Sequence, residues 1–280
     1  MPFVLDWDGH VHSGFCPHGS GEPTRAHIER ACDLGLRRIT IIEHYPLPPD
    51  FPPPPTSLPV DLHRDSVEAY LVDTLALRDE FAPRIEVLVG FEWDYLPGWE
   101  DYTRRQLGIV GPRVQDGLLS IHFLKESIIE AYAEVFMEEV MPKVGGTLES
   151  AYSVYYRTLL DAVRADLGPY KPRRLAHLNL IRRFQRLHPA PGEFREQIVE
   201  IVREAASRGM QLDFNVSGAR RALCGEVYLP GWLVEMIAYG EIDIECVYGS
   251  DAHGASEVGA GLDDARTLVE SVTVSRKPLG

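Results

Sequence analysis

Short apolar runs of strand length recur along this chain, and each one ends on a residue able to bind a metal or a proton. The run 3–7 leads to Asp8-Gly9-His10-Val11-His12, 38–42 to Glu43-His44, 85–91 to Glu92, and 118–121 to His122. Further along, 174–176 leads to His177, 211–214 to Asn215, and 242–248 to Gly249-Ser250-Asp251-Ala252-His253. The runs are rich in Ile, Val, Leu and Phe, as buried strands are. Between them lie patterns with helical spacing over 24–34, 63–81, 148–167, 194–207, 229–239 and 256–269, most of them closed by Gly or Pro. Thr24 is the expected N-cap of the first.

Strand alternating with helix predicts a parallel sheet with helices outside it. Seven such strands and no second core predict an α/β fold, a distorted (β/α)7 barrel that is TIM-like. In such barrels the functional groups gather at the carboxyl ends of the strands, where the ligand-type residues of this chain fall. A doubly wound open sheet is the competing arrangement. Two segments break the alternation: a proline-rich loop over 46–59, directly after His44, and an insertion over 127–147.

The length, 280 residues, suits one large domain spanning 1–280, and no linker interrupts it. A formal charge of −14 makes the chain a poor partner for nucleic acid or an anionic membrane, both of which need local positive charge. The cysteines, Cys16, Cys32, Cys224 and Cys246, form no C-x-x-C pair. No stretch reads as a signal peptide or a membrane span, so a cytoplasmic location is expected.

Seven of the ten histidines, His10, His12, His18, His44, His122, His177 and His253, fall at the strand ends or just after them. His10 and His12 are two apart, so on an extended strand they face one side. Asp251 and His253 repeat the spacing. Glu92 offers two oxygens, enough to bridge two ions. Mixed imidazole and carboxylate donors suit divalent transition metals, zinc, manganese or iron, better than magnesium or calcium. A lone H-x-H is more often a surface pair or a satisfied core pair. It is the coincidence of seven that points to a metal cluster. His27, His63 and His188 fall in helices or a loop and are set aside.

The segments DGHVHSGFCPHGSGE, IIEHYPLPPDF, VGFEWDY, LLSIHFL, LAHLNLIRRF, FNVSGARR and YGSDAHG resemble the PHP (polymerase and histidinol phosphatase) superfamily over nearly the whole chain. Within it they are most similar to the monofunctional histidinol-phosphatase branch. The resemblance implies a trinuclear site. His10, His12, Glu92 and Asp251 would hold one ion; Glu92, His122 and His177 a second; His18, His44 and His253 a third. Asn179 departs from the pattern, where relatives often carry Asp. The implied activity is hydrolysis of a small phosphate monoester, histidinol phosphate, in histidine biosynthesis.

Such a reaction needs a proton for the leaving alcohol, for which Asp251 and His253 are the candidates. It also needs fixed positive charge on the phosphate, for which Arg183 and Arg220 are the candidates, with Arg182 and Arg221 as neighbours. Glu22, Glu43 or Asp213 would suit a substrate ammonium. Another hydrolase of the superfamily, acting on nucleotides, phosphotyrosine or nucleic acid, is the alternative, followed by a metal-binding domain without catalysis. The pattern leaves the oligomeric state open.

Overall fold

The computed structural model describes residues 2–56 and 59–274; Ser57 and Leu58 of the proline-rich loop lie outside the described residues. The apolar runs form β1 (Phe3–Val4), β2 (Trp7–His12), β3 (Arg38–Ile42), β4 (Glu86–Asp94) and β5 (Asp116–Ser120). A small antiparallel hairpin follows, β6 (Phe123–Leu124) with β7 (Ser127–Ile128), and then β8 (Arg174–Leu175), β9 (Gln211–Asn215) and β10 (Cys246–Gly249). Leaving the hairpin aside, all strand pairs are parallel, in the order β1-β10-β9-β8-β5-β4-β3-β2.

The two margins of this sheet meet. β2 resumes two residues after β1, Val11 bridges Ala252 beyond β10, and the His12 amide donates to the Ala252 carbonyl (2.8 Å). With β1 and β2 counted as one interrupted strand, the result is the expected distorted seven-stranded barrel, and the open-sheet alternative falls.

The crossovers are α1 (Thr24–Asp33), α2 (Val67–Phe81), α3 (Glu100–Val110), the short turns α4 (Ala133–Val135) and α5 (Met141–Lys143), α6 (Leu148–Arg164), α7 (Arg195–Ser207), α8 (Ser217–Arg220) and α9 (Gly231–Ala238), and α10 (Leu262–Val274) follows the last strand. Their apolar faces pack on the outside of the barrel as one continuous core. Helices on the outer face and filled space on the inner leave the strands buried on both sides, which is why they read as largely apolar runs. α6 starts on a reciprocal cap between Thr147 and Ser150.

Four local readings change, one being the helix expected over 256–269, which is a 3-10 turn over Ala255–Glu257 followed by α10. α3 has no counterpart among the expected helices: only Thr103, Leu107 and Val110 of it are buried, too thin an apolar stripe to stand out. Thr24 is the first residue of α1 rather than its cap, and its hydroxyl accepts from the Gly14 amide instead. His63 caps a 3-10 turn ahead of α2.

Two layers fill the barrel below the strand ends. Ile42, Leu118 and Ala176 form an apolar plug. Below it runs a polar girdle of Trp7, Thr40, Asp116 and Arg174. Among the described residues no helix is long and apolar enough to cross a membrane.

Candidate metal centre

Every candidate ligand stands at the carboxyl end of a strand or just past it. His10 and His12 close β2, Glu92 lies near the end of β4, and His44, His122, His177 and Asp251 each follow by two residues the end of β3, β5, β8 and β10. His18 and His253 come from the loops beyond. The geometry centres on Glu92, which is 1% exposed. Its Oε1 faces His177 Nε2 (3.0 Å) and His122 Nε2 (3.5 Å), whose ring nitrogens are 3.1 Å apart. Its Oε2 faces His10 Nε2 (3.4 Å), His12 Nε2 (3.5 Å) and His44 Nδ1 (3.3 Å). Asp251 Oδ1 joins the same side, 3.6 Å from His10 and 3.7 Å from His12. A third convergence pairs His18 Nε2 with His253 Nε2 at 3.2 Å.

These spacings fit metal ligation. Donors around a tetrahedral ion with bonds of about 2.1 Å lie about 3.4 Å from one another. Buried polar atoms should be hydrogen-bonded, yet His10 Nε2, both nitrogens of His12 and Glu92 Oε2 have no such partner among the described residues. His10 Nε2, His12 Nε2 and Glu92 Oε2 converge on a common space, while His12 Nδ1 faces Glu43 Oε2 at 3.8 Å. The charge balance agrees. Burial opposes ionisation of Glu92 and Asp251, but the imidazoles around them hold both carboxyls well below the usual range. Burial and neighbouring imidazoles push His12 and His44 well down, so both stay neutral, whereas for His10 and His122 burial is outweighed by the surrounding carboxylates, which hold both up in the metal-free protein, so an incoming ion displaces their protons. Ionised carboxylates and neutral imidazoles are the forms that bind metal.

A second layer fixes these side chains. Asp213 Oδ2 accepts from His10 Nδ1 (2.8 Å), Asn215 Nδ2 (3.0 Å) and the His177 amide (3.3 Å). Asp94 Oδ1 bonds both the amide and Nδ1 of His122, each at 3.0 Å. Glu43 accepts from the amide and hydroxyl of Ser13, and burial pushes its carboxyl up to about 8. Asp251 sits at φ 55°, a region a non-glycine residue enters at some cost. It is held there by its amide bond to the His10 carbonyl (2.8 Å) and by the Ser217 hydroxyl on Oδ2 (2.9 Å). Gly249 leaves room for Asp213, since a Cβ there would lie 2.1 Å from Oδ1.

The cluster floors a pocket of about 610 Å³, roofed in part by Pro59, Val60 and the segment after the hairpin. The sequence profile of the PHP domain matches residues 8–217. The chain belongs to the PHP domain family. Histidinol-phosphatase of Bacillus subtilis (strain 168) is 35% identical to it over 90% of this chain and 95% of that protein. A solved structure from Listeria monocytogenes, provisionally named a histidinol phosphatase, superposes with a TM-score of 0.84 at 32% identity, covering 92% of this chain and 99% of that one. A histidinol phosphate phosphatase from Lactococcus lactis, solved with zinc, L-histidinol and phosphate, has a TM-score of 0.73 at 20% identity, covering 95% and 93%. At that identity the likeness concerns the fold.

In this PHP domain the nine candidate ligands meet at one place, but the other candidates divide. Arg183 and Arg221 line the pocket. Arg220 does not: its guanidinium donates to the Ser250 carbonyl (2.7 Å) and the Ala260 carbonyl (3.1 Å), tying down the loop after β10. Glu22 stands on the pocket wall, where it accepts from the Ala255 amide (2.9 Å). Glu43 and Asp213 are buried beneath the ligands, at 0% and 1% exposure, and cannot meet a substrate ammonium. Asn179 is buried and accepts from the Tyr156 hydroxyl (2.8 Å), away from the ligand atoms.

Sequence reasoning missed Asp94 and Glu130. Asp94 follows Glu92 by two on one strand, so the spacing that paired His10 with His12 could have found it. Glu130 lines the pocket 3.5 Å from His122 Nε2, and it emerges from the insertion, where no periodic pattern marks it.

Proposed function

We propose that this PHP domain, taken as a single unit over 1–280, hydrolyses L-histidinol phosphate to L-histidinol and phosphate with three divalent ions, zinc, manganese or iron. The observation that carries the reading is Glu92, whose two oxygens address two separate imidazole sets. His10, His12, Glu92 and Asp251 would hold one ion, Glu92, His122 and His177 a second, and His18, His44 and His253 a third. When bound, such ions supply Lewis acidity and lower the pKa of water enough for attack on phosphorus at neutral pH.

The chain's own groups account for the rest. Arg183 and Arg221 supply guanidinium forks matched to phosphate oxygens. Asp251 is held ionised and presents Oδ1 toward His10, His12 and His253. The attacking water would deliver its oxygen to phosphorus and its proton to the leaving alkoxide, relayed at the edge of the cluster where Asp251 and His253 stand. Glu22, Glu130 and Glu257 lie on the same pocket wall system as the arginines. The pocket therefore offers anionic groups to the cationic part of a substrate and cationic groups to its phosphate. Identity of 35% to the Bacillus subtilis enzyme over nearly the whole chain supports this substrate. A cytoplasmic location goes with the same reading.

The test is phosphate release by protein of measured metal content, from L-histidinol phosphate against nucleotides, oligonucleotides and phosphotyrosine. The proposal expects histidinol phosphate to have the highest kcat/KM. A higher value for any other substrate, or no turnover by fully metallated protein, overturns it.

A further inference from the structure

Strand β2 carries two of the proposed ligands and is irregular where it carries them. Its register against β3 runs Trp7 with Arg38 and Asp8 with Ile39, then slips, so that Val11 meets Ile41 and His12 meets Ile42. Three steps along β2 match two along β3, so one extra residue lies in the Gly9-His10 stretch. Such a bulge disrupts the local ladder and re-aims side chains, and bulges concentrate beside active sites. Whatever holds this bulge sets the direction of His10 and His12.

On the His10 side the bulge is met by the Asp251 amide and by Asp213; on the Gly9 side it is met by Arg174, the first residue of β8. The arginine is fully buried, and its Nη2 donates to the Gly9 carbonyl (2.9 Å). The guanidinium also rests on the Gly9 Cα: a Cβ at that position would lie 3.1 Å from Arg174 Cζ and 2.7 Å from Val247 Cγ1. Side chains from three other strands fix the arginine in turn. Arg174 Nη2 donates to Asp116 Oδ2 on β5. The same oxygen accepts from the Thr40 hydroxyl on β3 (2.7 Å), which accepts from Trp7 Nε1 on β2 (2.9 Å). Arg174 Cζ lies 4.7 Å from the Trp7 ring centroid, which closes the circuit. A buried charge is costly unless paired. Yet Nε and Nη1 of this arginine have no hydrogen-bond partner among the described residues. A residue serving only to fill space would do so better as Met or Leu.

We propose that Arg174 is a positioning residue for the metal centre: by gripping the Gly9 carbonyl across the barrel it sets the bulge that aims His10 and His12. It touches neither ligand nor substrate and acts through the backbone of β2. This rests on His10 and His12 being metal ligands.

The experiment compares Arg174→Met, Arg174→Lys and His10→Ala with the parent protein. Each is stripped of metal and titrated with zinc against a chromophoric chelator, and amide hydrogen exchange of residues 9–12 is followed in the metal-free state. Arg174→Met should lose roughly tenfold to hundredfold in affinity at the position that His10→Ala removes, as loss of an outer ligand-orienting contact does. Binding at the His122 and His177 position should persist, and exchange at 9–12 should accelerate. Arg174→Lys keeps the charge beside Asp116 without the planar fork and should recover part of the loss. If Arg174→Met fails to fold, the lysine variant carries the test, with a smaller loss of the same pattern expected. Parent-like zinc affinity and exchange in a folded Arg174 variant would overturn the proposal. Unchanged zinc binding in His10→Ala would instead overturn the ligand assignment itself.

Discussion

Asp213→Asn offers the sharpest check on how the centre is held. Asp213 Oδ2 faces three donors, His10 Nδ1 at 2.8 Å, Asn215 Nδ2 at 3.0 Å and the His177 amide at 3.3 Å. Oδ1 has no hydrogen-bond partner among the described residues and packs against Gly249. Three donors on one side dictate the orientation of an amide of equal size: its oxygen replaces Oδ2 and its NH2 replaces Oδ1. The substitution thus removes the negative charge while keeping volume and three acceptor contacts. A carboxylate on the distal nitrogen of a ligating histidine orients the ring and raises its basicity. Removing it costs roughly tenfold to hundredfold in metal affinity, or about 1.4–2.7 kcal/mol. Competition titration of the metal-free protein with zinc reads this directly. The loss should fall on the position that His10→Ala abolishes, and the fold should remain intact by near-UV circular dichroism. Parent-like zinc affinity in Asp213→Asn, with a clear loss in His10→Ala, would refute the argument that Asp213 tunes His10.

Three further outcomes follow from the same geometry. Burial disfavours a charge on His122, but Asp94, Glu92 and Glu130 outweigh it and raise its pKa from 6.5 to about 10 in the metal-free protein. The imidazole then carries a proton at pH 8 that an incoming ion must displace. Its contribution to the stability of the metal-free fold is complete below pH 6.5 and is lost as pH rises through about 10. Zinc-binding calorimetry at pH 8 in buffers of different ionisation enthalpy should show proton release that fades as pH passes about 10, and no buffer dependence would contradict it. Arg220→Ala should lower unfolding free energy by about 1 kcal/mol, through two lost hydrogen bonds, with unaltered KM, whereas Arg183→Ala should raise KM for the phosphate ester. Denaturant melts and steady-state kinetics on both variants separate the roles.

The barrel was legible because its strands are mostly apolar and each ends on a polar residue of a type that proteins rarely bury without reason. The candidate ligands stood out for the same cause. What stayed hidden is direction. Glu22, Glu43 and Asp213 look alike in sequence, yet only Glu22 faces the pocket, because it stands on the loop ahead of α1 while Glu43 and Asp213 lie at strand ends, buried beneath the candidate ligands. Arg220 and Arg221 are adjacent at the end of the short helix α8 and point to different places, one to the carbonyls of a loop and the other to the pocket. The hairpin that delivers Glu130 was illegible for a chemical reason. Its turn residues, Lys125 and Glu126, both take positive φ, at 49° and 64°, without the Asn or Gly that usually announces such a turn.

The closure of the barrel also orders events in time. Asp8 accepts from the Ser250 amide across 242 positions of sequence, beside the meeting of His10 and His12 with Asp251. During synthesis the β2 histidines emerge first and have no carboxylate partner from β10 until nearly the whole barrel has followed them. Domains fold as units when their contacts span the chain in this way. A ribosome-bound fragment that ends before β10 holds His10, His12 and Glu92 but lacks Asp251 and His253. Completion of the candidate set thus waits on the last strand.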